Sequence, residues 1–160
     1  MRAAGILTVS DTRSKGLKTD TATPLIRSLL EEAGLTVAET ILVPDECEQI
    51  KARLIDMADR QKLLLVVTTG GTGFGPRDVT PEATRMVIER ETPGLPEAMR
   101  AVTAKQNPLA WLSRATAGLR GSTLIVNLPG SPRGATECLR VLLPLLPHAR
   151  AMVEGQDHGH

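Results

Sequence analysis

The greatest chemical reach in this chain lies in a glycine-rich run, Gly70-Gly71-Thr72-Gly73-Phe74-Gly75-Pro76, followed at once by Arg77 and Asp78. Glycine admits backbone angles closed to other residues and lets a ligand approach the main chain. Successive free N–H groups near a helix N-terminus form a cradle for phosphate or another anion. The run is not a Walker A loop, because no Gly-Lys-Ser/Thr follows. Gly71-Thr72-Gly73-Phe74-Gly75 also departs from the Gly-x-Gly-x-x-Gly dinucleotide fingerprint. Composition alone leaves two readings open, a phosphate site and a tight structural turn. Arg77 can grip a phosphate with two parallel hydrogen bonds. A carboxylate at Asp78 repels an anion unless a cation lies between them, and Mg²⁺ is held by one or two carboxylates plus phosphate oxygens. Otherwise Asp78 caps the turn ahead of Thr80.

Three further loops carry polar residues just past apolar runs. Ser10 and Asp11 follow Ile6–Val9, where a ligand contact and ordinary turn chemistry are both open. Asp45 begins Asp45-Glu46-Cys47-Glu48, which has the spacing of a helix capping box. Its place at the carboxyl end of a strand favours a role in the site. In Asn127-Leu128-Pro129-Gly130-Ser131-Pro132, Ser131 suits a helix cap with Pro132 at the first helical position. That leaves Asn127, whose amide could read a purine edge. Ser113-Arg114 reads as a surface turn, and Trp111 and the five Met residues as core or cover.

The elements that position these loops alternate. Ile6 to Ser10 is a strand; Ile26, Leu29, Leu30 and Ala33 mark one face of a helix ended by Gly34. Thr36 to Val43 is a strand cut by Pro44, and Ile50, Leu54, Met57 and Ala58 stripe a second helix. The continuous run Leu63 to Thr69 is a strand covered on both faces. A helix begins at Thr80-Pro81-Glu82, with Thr80 as cap, and another runs from Glu97 to Lys105 after Pro93-Gly94-Leu95-Pro96. Thr116–Leu119 and Thr123–Val126 flank Arg120-Gly121-Ser122 as a hairpin, and a final helix through Ala135, Leu139 and Leu142 is interrupted by Pro144 and Pro147. This pattern predicts an α/β three-layer sandwich with a mainly parallel sheet and an antiparallel edge strand. Ligands bind at the carboxyl ends of such strands, where all four loops converge on one pocket.

Composition narrows the function. The chain has 160 residues, 41% of them apolar and 23% charged, with a net charge of +1. That predicts one domain over residues 1–155 and a polar tail over 156–160, in which His158 and His160 are frayed rather than metal-binding. Near-neutral charge, one Phe, one Trp and no Tyr exclude the electrostatics and stacking platforms of a nucleic-acid binder. Cys47 and Cys138 form neither a disulfide framework nor a zinc spacing. The longest apolar run is far below the roughly 20 residues of a membrane span, and the N-terminus lacks the form of a signal peptide, so the expected compartment is the cytoplasm.

Thr68-Thr69-Gly70-Gly71-Thr72-Gly73 followed by Pro76-Arg77-Asp78-Val79-Thr80-Pro81-Glu82-Ala83 resembles the signature of the molybdopterin adenylyltransferase family (MogA/MoaB, and the G domain of gephyrin-type proteins). The resemblance extends through Val9-Ser10-Asp11, Val43-Pro44-Asp45-Glu46, Leu112-Ser113-Arg114, Gly118-Leu119-Arg120-Gly121-Ser122 and Asn127-Leu128-Pro129-Gly130, roughly from Gly5 to Gly155. It implies the molybdopterin-binding fold, commonly a homotrimer, with ATP and molybdopterin as substrates, Mg²⁺ as cofactor, and adenylyl-molybdopterin and pyrophosphate as products. It implies that Asp45 and Asp78 are the essential carboxylates; the chemistry of the loop makes both candidate Mg²⁺ ligands, directly or through water. It makes the glycine loop (Gly70, Gly71, Thr72 and Gly73) and the loop of Asn127, Pro129 and Gly130 the ligand-binding walls, with Ser113 on the pterin side; Ser10, Asp11 and Arg77 are binding candidates by their own place and chemistry. Contact with the molybdenum-insertion protein is a further implication.

The chemistry suits the residues independently. Adenylyl transfer joins two anions and needs alignment and charge neutralisation more than a covalent nucleophile. No histidine precedes His148, and an ionised phosphate nucleophile needs no imidazole base. The competing readings are a non-catalytic molybdopterin or nucleotide carrier, a scaffold, and, against the missing fingerprint, a nicotinamide-dependent oxidoreductase.

Overall fold

The computed structural model describes residues 2–156, so the expectation for His158 and His160 lies outside the described residues. The elements run β1 (Ala3–Val9), α1 (Asp11–Ser14), α2 (Ala22–Glu32), β2 (Thr36–Val43), α3 (Cys47–Ile55), β3 (Leu65–Thr69), α4 (Thr80–Val87) and β4 (Arg90–Glu91). They continue through α5 (Gly94–Thr103), β5 (Ala117–Arg120), β6 (Thr123–Leu128), α6 (Pro132–Leu142) and α7 (Leu146–Val153). Pro144 falls in a short 3₁₀ turn, Leu143–Leu145, that separates α6 from α7, as its missing donor requires.

The sheet order is β2-β1-β3-β6-β5-β4. β2, β1, β3 and β6 are mutually parallel, whereas β5 runs antiparallel to β6 and β4 antiparallel to β5. The mainly parallel sheet with an antiparallel edge is therefore present, but with a two-residue strand, β4, that nothing in its local sequence announced. Gly118 makes that edge possible, because a Cβ there would lie 2.6 Å from the Arg90 carbonyl oxygen.

Strand pleat divides the core. Ile6, Leu65, Val67, Leu124 and Val126 face one way, against Ile26 and Leu30 of α2 and Leu139 and Leu142 of α6. Leu7, Val66 and Ile125 face the other way, against Ile50 and Leu54 of α3 and Val87 of α4. Each central strand alternates between two apolar layers, which is why it reads as a continuous apolar run.

Two local expectations are corrected. Trp111 is not core: it is 59% exposed, in a 3₁₀ turn (Pro108–Leu112) whose Leu109 and Leu112 are also exposed. The Met residues divide, with Met57 and Met99 buried and Met86 and Met152 exposed. The break at Pro93-Gly94-Leu95-Pro96 is also the first turn of α5, where a proline costs no helical hydrogen bond. Among the described residues no helix is long and apolar enough to cross a membrane.

Gly118→Ala should push β4 off the sheet and destabilise the fold by about 2 kcal/mol or more. Urea unfolding monitored by circular dichroism measures this, and wild-type stability would contradict the close approach.

Candidate functional site

The carboxyl ends of β1, β2, β3 and β6 reach one rim, with Thr8 beside Thr69, Val9 beside Val43 and Thr69 beside Leu128. The glycine loop leaves β3 there and is locked to its neighbours from the first residue. Gly70 sits at φ +103°, and a Cβ would fall 2.2 Å from the Val9 carbonyl oxygen, so only glycine fits. Its N–H donates to the Leu128 carbonyl at 3.1 Å. The Thr69 hydroxyl donates to the Pro129 carbonyl at 2.7 Å. A Cβ on Gly130 would lie 3.2 Å from the Gly70 Cα, so the second loop packs directly on the first.

Beyond Gly70 the loop turns its carbonyls inward. The Thr80 hydroxyl donates to the Gly70 carbonyl at 2.9 Å, and the Thr80 amide to the Gly71 carbonyl at 3.2 Å. The Arg114 amide donates to the Thr72 carbonyl at 2.9 Å, and Arg114 Nε to the Gly73 carbonyl at 2.8 Å. Among the described residues the amides of Gly71, Thr72 and Gly73 donate to no protein acceptor. Consecutive unpaired N–H groups beside the start of a helix make an anion cradle.

Two carboxylates lie against the same stretch. A Cβ on Gly71 would be 3.0 Å from Asp45 Oδ1, and one on Gly73 would be 3.0 Å from Asp78 Oδ2. Asp45 Oδ2 accepts from the Asp11 amide at 2.9 Å, and Asp11 Oδ1 accepts from the Asp45 amide at 3.0 Å, a reciprocal clasp between the ends of β1 and β2. Asp78 Oδ2 accepts from the Gly75 amide at 2.9 Å. Asp45 Oδ1 and Asp78 Oδ1 accept from no donor among the described residues. Two hard oxygen donors beside a phosphate cradle fit Mg²⁺, which takes the rest of its shell from phosphate and water. No group of three or more His, Cys, Asp or Glu side chains among the described residues could hold a metal unaided.

Arg77 bridges this rim. Its Nε and Nη2 donate to Asp11 at 3.0 and 3.1 Å, and Nη2 also donates to Glu46 at 2.8 Å. The guanidinium, with the Asp45 amide, lowers the Asp11 pKa to about 2. Burial raises the Asp45 pKa, and the negative charges of Asp11 and Asp78 push it the same way. A cation bound there would reverse that push.

A cavity of about 420 Å³ opens beside the loop. Gly71, Thr72, Gly73, Asp78, Ser113, Asn127, Pro129 and Gly130 line it, together with Met99, Arg100 and Cys138. Burial raises the Cys138 thiol to about 11, which keeps it neutral. Ser10, Asp11, Asp45, Gly70 and Arg77 lie at the rim outside that lining.

Several sequence readings change here. Asp45 is no helix cap: Glu46 holds the capping position of α3, which has no side-chain cap bond. Thr80 is no cap either; it is the first residue of α4, and its hydroxyl holds the Gly70 carbonyl. Asp78 ties the local turn through one oxygen and keeps the other free, so both of its readings are compatible. Ser10 takes the turn role, its hydroxyl accepting from the Arg13 amide at 3.2 Å as the cap of α1. Ser131 caps α6 through the Gly134 amide, as its spacing predicted.

Asn127 lines the cavity from the end of β6 and also has a structural role. It is 0% exposed. Its Nδ2 donates to the hydroxyls of Thr68 at 3.0 Å and Thr84 at 2.9 Å, and its Oδ1 accepts from the Thr116 amide at 3.1 Å. Both amide hydrogens are thus used within the protein, and the side chain fastens β6 to β3, α4 and the approach to β5. Ser113 lines the cavity with its Oγ turned to the Ala115 amide at 3.2 Å.

Arg114 is not part of a free surface turn. Besides Gly73 it reaches the Asp78 carbonyl at 2.7 Å and both oxygens of Glu82 at 2.7 and 3.2 Å. The two partners stand 32 positions apart, and no local pattern announces the pair.

Comparison with known proteins agrees with this architecture. A family described as a probable molybdopterin binding domain matches residues 5–148. The molybdopterin adenylyltransferase of Helicobacter pylori (strain ATCC 700392 / 26695) is 42% identical over 153 residues, covering 94% of this chain and 87% of that protein. The molybdenum cofactor synthesis protein cinnamon of Drosophila melanogaster is 46% identical over 157 residues, 96% of this chain, which spans only 26% of that longer protein. The crystal structure of the molybdopterin biosynthesis enzyme MoaB from Thermus thermophilus matches with a TM-score of 0.92 and 52% identity over 98% of each chain.

Three measurements check the geometry. Asp11 should titrate near 2 by carbon-detected NMR, below its ordinary 3.8. A lowered folded pKa gives stability that is fully present above the unfolded value and is lost as pH falls through the folded one. Asp11→Asn should therefore flatten the acid limb of the stability profile. Asn127→Ala should cost about 2–4 kcal/mol in urea unfolding by leaving buried partners unpaired, whereas a ligand-reading role alone would leave stability unchanged.

Proposed function

This chain belongs to the molybdopterin-binding domain family, and on that footing we propose that it transfers the adenylyl group of ATP to the terminal phosphate of molybdopterin, giving adenylyl-molybdopterin and pyrophosphate. One observation carries the reading: the loop turns its carbonyls inward, leaving the amides of Gly71, Thr72 and Gly73 unpaired between two carboxylates. That is an electrostatic arrangement for phosphates with a divalent cation.

In this reading a terminal phosphate oxygen of molybdopterin attacks the α-phosphorus of ATP. A new P–O bond forms as the bond to the β-phosphate bridging oxygen breaks, and the electron pair leaves on pyrophosphate. The loop amides hold phosphate oxygens and align them for in-line displacement. Asp45 and Asp78 would hold Mg²⁺, which supplies positive charge to the phosphates when bound. Arg77 is placed to exchange a carboxylate for a phosphate at the rim. The cavity wall at Ser113, Pro129 and Gly130 gives space for the pterin. We assign the chain to the cytoplasm and to a homotrimer on the resemblance of its motifs, and contact with a molybdenum-insertion protein on the same basis.

Asp78→Asn should keep the fold and lower turnover by about 100-fold or more. Pyrophosphate release on mixing with ATP, Mg²⁺ and molybdopterin measures this. Full activity in the variant would overturn the assignment of Asp78. Binding of both substrates by the wild-type chain without pyrophosphate release would overturn catalysis in favour of a carrier.

A further inference from the structure

Arg114 has an unusual set of partners for a residue that does not line the cavity. Its side chain is two-thirds buried, at 32% exposure, and reaches three residues of the stretch that runs from the glycine loop into α4. Nε donates to the Gly73 carbonyl at 2.8 Å, and Nη2 to the Asp78 carbonyl at 2.7 Å. Nη1 and Nη2 grip Glu82 at 2.7 and 3.2 Å, and the backbone amide holds the Thr72 carbonyl at 2.9 Å. Glu82 lies in the first turn of α4, which opens with Thr80, the residue that holds the Gly70 and Gly71 carbonyls.

The loop is therefore pinned from one helix at both ends, directly through Thr80 and indirectly through Glu82 and the Arg114 fork. A segment rich in glycine has more backbone freedom to lose than any other, so its order must come from outside itself. We infer that Arg114, locked by Glu82, is the positioning residue of the phosphate cradle: through the Thr72 and Gly73 carbonyls it fixes the amides of Gly73 and Phe74, and with them the turn that carries Asp78. It touches loop carbonyls, on the side away from the amides, and so acts on the nucleotide through the loop. A lysine cannot replace it, because a single ammonium cannot span acceptors that a planar fork meets in fixed directions.

The inference rests on the nucleotide reading of the loop, and the test separates the two. Wild type, Arg114→Lys and Glu82→Gln are compared by thermal unfolding, by ¹⁵N relaxation of the Gly73 and Phe74 amides, and by calorimetric titration with ATP and Mg²⁺. Kinetics with molybdopterin completes the set. Both variants should fold, show lower order parameters at those two amides, and bind ATP about tenfold more weakly. The KM for molybdopterin should move by less than about twofold. A folded Arg114→Lys with wild-type loop order and ATP affinity would overturn the inference, and if that variant does not fold, Glu82→Gln decides by the same measures. Wild-type protein that binds no ATP would sink the functional reading, while loop order in the variants would still decide the role of Arg114.

Discussion

The site depends on which way one loop faces. A peptide group has two polar ends, and holding the carbonyl fixes where the N–H points. Thr80 and Arg114 take the four carbonyls from Gly70 to Gly73, so the following amides turn to the open side. Glycine makes the conformation sterically accessible, above all at Gly70, but does not select it. Selection comes from hydrogen bonds supplied by α4 and by the segment before β5, two parts of the chain that the sheet brings together.

A second constraint is charge. Asp11, Asp45, Glu46 and Asp78 converge on a rim that suits anionic ligands only with added positive charge, and Arg77 is the cation paired to Asp11 and Glu46. The backbone clasp between Asp11 and Asp45 fixes two of these acids against the ends of β1 and β2. Burial and like charge make Asp45 reluctant to ionise, so the rim gains from a bound cation. Binding sites of this kind trade local stability for function, and the surrounding two-layer core supplies the difference.

The buried polar chemistry behind the loop gives the frame its rigidity. Asn127 is buried between the sheet and α4, with its amide fully engaged by Thr68, Thr84 and the Thr116 amide. Its polarity at the end of an apolar strand looks like a binding signal, because sequence cannot tell an amide that faces a ligand from one that fastens three elements. The same ambiguity applied to Ser10 and Asp45, which divided in opposite directions: one is a cap, the other is not.

The layers and the rim are written in the order of residues. Apolar runs of strand length, helical stripes and glycine or proline breaks are local signals, and burial on both faces of a parallel sheet makes them plain at Leu65–Thr69 and Thr123–Leu128. The glycine loop and Asp45 each stand just past such a run, which placed them on the rim, while Asp78 was singled out by its position directly after the glycines and Arg77. Folding in three dimensions was needed to reveal the two-residue strand β4, the exposure of Trp111, the engagement of Asn127 and the Arg114–Glu82 pair. These depend on contacts across 11 to 59 positions of chain for the amide and 32 for the ion pair. Such partners are chosen by packing geometry, which leaves no periodicity in the residues on either side.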